Sequence, residues 1–121
     1  MLFPFLLFLV AAAQEAPTGE YYGSTLVFDM FKVEAWVEVI DNEHVNIRSS
    51  LGLDCENEPF SIDDNNKVTL GDCFFEAMEE GNQTVKSVTY DTTNDEIHLE
   101  VVKNLIIIQV PVSITLKKKE T

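Results

Sequence analysis

Few side chains in this sequence can do chemistry. His44 and His98 are its two histidines, Cys55 and Cys73 its two cysteines, and 21 acidic residues stand against 8 basic ones. His98 lies between Glu96 and Glu100 at a spacing of two, which puts all three on one face of a strand, where an imidazole flanked by carboxylates can hold a cation. The same spacing also makes an ordinary solvated ladder of polar side chains. Neither histidine has a partner at a catalytic or metal-binding spacing, and no Gly-x-Ser-x-Gly, His-Glu-x-x-His or phosphate loop occurs. Asp63–Asn66 looks like the opening of a calcium loop, but Val68 and Phe74 stand where that loop needs its glycine and its glutamate. Carboxylate pairs are abundant enough here that none is singled out for glycoside chemistry. No catalytic, metal or cofactor residue is assigned.

The cysteines carry a different message. They lack Cys-x-x-Cys spacing and a neighbouring histidine, so an even pair reads as one disulfide, Cys55 to Cys73, formed in an oxidising compartment. The leader agrees with export. Residues 1–13 form an uncharged apolar run, too short to span a bilayer and ending in three alanines, as a secretory signal peptide does. Removing it leaves residues 14–121 as one secreted, extracellular domain without a membrane span. Asn82-Gln83-Thr84 is a glycosylation sequon in a polar turn, which makes Asn82 a candidate glycan site.

The net charge of −13 repels phosphate backbones and anionic lipid. Nucleic acid is thereby excluded as a partner. Between Asp54 and Glu80, nine acids face only Lys67. That segment is either a surface for a cationic protein or a solvated face that keeps the chain soluble.

The elements that must position these residues alternate with a period of two. The longest such pattern is 105–116, with Ile106, Ile108, Val110, Val112, Ile114 and Leu116 on one face, the first third apolar on both faces, and Pro111 in the middle. A strand of that length would run roughly 40 Å, so a bend or bulge at Pro111 is expected. Further strands are expected over 21–28, 31–40, 44–51, 85–90 and 96–102, with a short hairpin around Asp63–Asn66 inside the disulfide loop. One brief helix is expected near 73–80, stopped by Gly81. Trp36 on the polar face of its strand is either packed under a loop or exposed for binding. About eight strands at short spacing predict an all-β antiparallel meander closed into a barrel, with a two-sheet sandwich as the alternative.

In that order of elements the chain resembles the calycins, the lipocalins and their relatives. Gly19-Glu20-Tyr21 stands where lipocalins carry Gly-x-Trp near the first strand, with tyrosine in place of the tryptophan. The resemblance implies a secreted barrel enclosing an apolar small molecule. A tentative pocket for it is Ala35, Val37, Ile47, Leu99 and Ile108, with Ala35 leaving space midway along its strand. The inward set is otherwise mid-sized and β-branched, which favours a filled interior over a hollow one. The functional expectation is a small acidic binding protein rather than an enzyme, its target an apolar small molecule or a cationic macromolecule. A small secreted hydrolase and a structural or immune-facing protein without a ligand are the alternatives.

Overall fold

The structure is a computed structural model that describes residues 16–119. The signal-peptide reading of residues 1–13 lies outside the described residues. The chain forms β1 (Gly19–Val27), β2 (Phe31–Val39), β3 (His44–Ser49), β4 (Asp54–Ile62), β5 (Val68–Leu70), a helix α1 (Asp72–Glu80), β6 (Gln83–Asp91), β7 (Glu96–Asn104) and β8 (Gln109–Lys118). The strands lie in the order β5-β4-β3-β2-β1-β8-β7-β6, and neighbours run antiparallel. The edges β5 and β6 meet at one bridge, Lys67 to Thr89, beside which the Tyr90 amide donates to the Asn66 carbonyl at 2.9 Å. The sheet is thus a nearly closed barrel, as expected, and not a sandwich.

Alternation places the core. Val33, Ala35 and Val37 of β2, Val45 and Ile47 of β3, Leu99 and Val101 of β7, and Val110, Val112, Ile114 and Leu116 of β8 are all buried inside. Gly23 makes the β1–β8 crossing possible, because a Cβ there would stand 2.2 Å from the Thr115 carbonyl oxygen. Two bulges reset the alternation. In β3–β4 the register shifts between Val45 and Ile47, with Asn57 at a φ of 52° and its amide bonded to Oδ1 of Asn46 at 3.0 Å. An asparagine tolerates that left-handed backbone better than most residues. The consequence is that Cys55 and Glu58, three positions apart, both face inward. In β6–β7 a second shift lies between Val85 and Ser87.

The helix falls where its sequence signals placed it. Its N-cap, Gly71, offers no side-chain bond, and Glu58 supplies the missing acceptor from β4, taking the Phe74 amide at 2.5 Å. A carboxylate at this end also meets the positive pole of the helix. The Cys55–Cys73 disulfide fastens the first turn of α1 to β4, and Phe74 and Met78 point into the core.

The expectation for 105–116 needs correction. Strand β8 starts at Gln109, and Lys103 and Asn104 belong to β7, paired with Val110 and Gln109. Residues 105–108 form the hairpin tip, closed by the Leu105 amide on the Ile108 carbonyl at 2.9 Å, and are the most exposed apolar stretch rather than the deepest. Pairing decides this, because the two flanking strands can meet only if the chain reverses between them. Nor does Pro111 bulge the β7–β8 ladder. It stays in register with Val102, beyond the part of β8 that pairs with β1, an edge position where a missing N–H is tolerated.

Candidate functional site

The strand directions divide the loops between the barrel's two ends. Loops β1–β2, β3–β4, β5–β6 and β7–β8 share one end, and loops β2–β3, β4–β5 and β6–β7 share the other with the first and last described residues. The second end is polar, built from Asp41-Asn42-Glu43, Asp63–Asn66 and Thr92–Asp95.

The first end gathers the exposed hydrophobic residues, beside the exposed acids Asp54, Asp72, Glu76, Glu79 and Glu80 at the start of β4 and on α1. Leu26, Phe28, Met30 and Phe31 stand exposed at the β1–β2 tip, Leu105–Ile108 at the β7–β8 tip, Leu51 in the β3–β4 loop and Phe75 on α1. Of the exposed large hydrophobic residues among the described positions, only Ile40 lies at the polar end. The β1–β2 and β7–β8 hairpins follow one another in the strand order, but the β1–β8 ladder pairs are confined to Tyr21–Lys118 and Tyr22–Lys117 near the polar end, so the two tips are not paired with each other. Ile106 and Ile107 are 103% and 91% exposed, so they touch almost nothing of their own chain. Scattered single hydrophobic residues on a surface are ordinary, but a concentration at one end marks an interaction site.

Inside the barrel, a cavity of about 40 Å³ lies toward the polar end, with Pro17 among its lining residues. Ala35, Val37, Ile47 and Leu99 line it as the tentative pocket requires. Ile108 does not. It is 51% exposed on the β7–β8 tip, because β8 begins one residue later. An engineered apolar cavity of about 150 Å³ takes up benzene, and this one is much smaller, so the interior as it stands is close to filled.

The histidines lie on the outer wall. Nδ1 of His44 is 3.0 Å from Asp41 Oδ1, and the Glu43 amide, followed by this imidazole, holds the Asp41 carboxyl below its usual range. Nδ1 of His98 is 3.3 Å from the Thr115 hydroxyl, while its Nε2 lies 3.5 Å from Glu96 and 3.9 Å from Asp91. Hydroxyl, imidazole and carboxylate thus follow one another as in a catalytic triad. They do so on the open outer face of a sheet, in cross-strand register His98–Thr115 and Asp91–Glu96, which is the geometry of a surface ladder. Glu100 turns away to the Ser87 hydroxyl at 3.1 Å.

Trp36 is half-buried in an outer row, between Tyr22 (centroids 5.6 Å apart) and the Arg48 guanidinium, 5.6 Å from its ring. It is stacked by neighbouring strands rather than covered by a loop. Of the nine acids between Asp54 and Glu80, eight are exposed and only Glu58 is buried. Asn82 is exposed with a φ of 55°, at the turn after α1.

Three features escaped the sequence reading. The apolar end had a signal, because Ile97, Leu99 and Val101 mirror Val112, Ile114 and Leu116 about the Ile106–Ile107 bond, which marks a hairpin centre. The inward turn of Glu58 had none, since it depends on the bulge. Nor did the joint bonding of Tyr21 and Tyr90 to Asp95, which comes from three separate elements.

The fold and surface define a small antiparallel β-barrel with one apolar end. Its nearly closed shape is compatible with the calycin resemblance. Comparison with protein-family models, with curated proteins and with solved structures finds no match to this chain.

Proposed function

We propose that this chain is a small secreted binding protein that engages its target through the apolar end of the barrel. The observation that carries this reading is the gathering of all but one of the exposed large hydrophobic residues among the described positions onto four connections that share one end. Burying even one such side chain is worth about 1.5–3 kcal/mol, so leaving them in water has a cost that contact with a target would recover. The disulfide suits an oxidising compartment and supports secretion. The test compares the secreted chain with a variant carrying Phe28→Ser, Met30→Ser, Ile106→Ser and Ile107→Ser in capture from native extracellular fluid, followed by lipid and protein analysis. Material held by the first and lost from the second is expected. Identical material on both would refute the reading.

A second reading, the apolar small molecule enclosed in the barrel, is favoured by one observation. The cavity is lined almost wholly by carbon, and the half-buried Phe60, Ile62 and Val68 on its wall border the β5–β6 edge, which one bridge closes. Opening that edge would enlarge the space. The eight exposed acids between Asp54 and Glu80 are where a cationic macromolecule would bind instead.

A further inference from the structure

We infer that the occupant of the apolar end is a neutral, zwitterionic lipid surface, into which the β1–β2 and β7–β8 tips insert as two separate wedges. The inference rests on the reading that this end is a binding surface, and goes further by naming what it binds.

Shape is the first argument. Stable protein interfaces bury about 800 Å² per partner in a continuous, complementary patch. Here the apolar groups project on two hairpin tips, and Ile106 and Ile107 are exposed almost completely. Convex points of this kind fit a fluid that closes around them better than a second rigid surface.

Charge is the second. Segment 26–32 carries only Asp29 and Lys32, and segment 103–109 only Lys103, whose ammonium is turned back to the Gly81 carbonyl at the end of α1. The tips are therefore nearly neutral and hold no basic cluster for anionic headgroups, while the whole chain carries −13. That excess repels an anionic membrane and a second copy of the chain alike, but not a zwitterionic surface.

The experiment is co-flotation of the secreted chain, and of an Asn82→Gln form that removes any glycan beside the tip, with phosphatidylcholine vesicles. Both forms should float. Ile106→Asp with Ile107→Asp should lower the bound fraction at least about tenfold, and Ile106→Leu with Ile107→Leu should preserve it. Adding phosphatidylserine to the vesicles should weaken binding at low salt and less so at high salt. Ile106→Trp should shift its emission to the blue on vesicles and be quenched by brominated lipid, with Trp36 on the barrel wall unaffected. Failure of the unsubstituted chain to float, or equal flotation of the double-aspartate variant, would overturn the inference. If flotation fails but sedimentation shows a dimer that the same variant abolishes, the occupant is a second copy, and the wider reading stands without the lipid. If neither vesicles nor self-association nor captured material depends on the tips, both fall.

Discussion

The Tyr21 hydroxyl donates to Oδ1 of Asp95 at 2.5 Å, joining residues 74 positions apart, and the Tyr90 hydroxyl donates to the same oxygen at 2.6 Å. Tyr21 lies on β1, Tyr90 on β6 and Asp95 in the β6–β7 turn, so one carboxylate ties together three parts of the polar end. Lys118 of β8 adds an ion pair at 3.6 Å.

This cluster makes stability depend on pH at both extremes. Burial, then the bond to Asp95, pushes the Tyr21 hydroxyl up to about 12, and the same two causes raise Tyr90. Burial alone would raise the Asp95 carboxyl, but the two hydroxyls and Lys118 outweigh it and hold it below its usual range. A tyrosine raised in the folded state contributes stability that is full below about 10 and is lost as pH climbs toward about 12. A carboxyl lowered in the folded state contributes stability that is present above about 4 and is lost as pH falls through its folded value. Denaturant midpoints should therefore drop on both limbs. Tyr21→Phe should cost about 1–3 kcal/mol at neutral pH and flatten the alkaline limb, and Asp95→Asn should flatten the acid limb. Unchanged limbs in both variants would show that the cluster does not govern them.

Glu58 caps α1 from a neighbouring strand, and that bond can be tested directly. Glu58→Ala should destabilise by about 1–3 kcal/mol, because it removes the acceptor from the Phe74 amide and leaves a gap in a buried site. Glu58→Gln, which keeps an acceptor of the same shape, should cost less. Equal losses in urea unfolding would mean that the carboxylate's charge matters more than its shape.

The interior is expected to take up no fatty acid. A cavity of about 40 Å³ offers no room for a chain of carbons. Ala35, 1% exposed, is packed tightly enough that Ala35→Phe should cost about 1–3 kcal/mol through overpacking. Titration with an environment-sensitive apolar dye checks this. Saturable binding competed by fatty acid and abolished by Ala35→Phe would show that the β5–β6 edge opens and would favour the enclosed-ligand reading.

Salt should raise the melting temperature. Eight exposed acids between Asp54 and Glu80 repel one another over a Debye length that falls from about 30 Å at 0.01 M to about 8 Å at 0.15 M. A melting temperature that stays constant across that range would mean the carboxylates are too dispersed to interact.

The sequence alone determined the features that depend on local pattern. Strict alternation in Val33-Glu34-Ala35-Trp36-Val37 leaves one face apolar in any register, so the all-β class and most of the core follow from it. The helix at 72–80 was legible because helix formers gather before Gly81, and the cysteine pairing because only two cysteines are present. Tertiary pairing decided what alternation leaves open. The run Leu105–Ile108 reads as buried strand by hydrophobicity, yet it falls at the centre of a hairpin, where the partner strand has ended and no neighbour remains to cover it. Period-two spacing from Cys55 places Glu58 outside, yet the bulge at Asn57 adds one residue to β4 and turns that carboxylate inward. Both outcomes depend on which strand lies opposite and where its ladder stops: the mirrored apolar residues on either side of Ile106–Ile107 carry a trace of the hairpin, whereas the bulge at Asn57 is set by pairing with β3 and leaves none in the residue pattern.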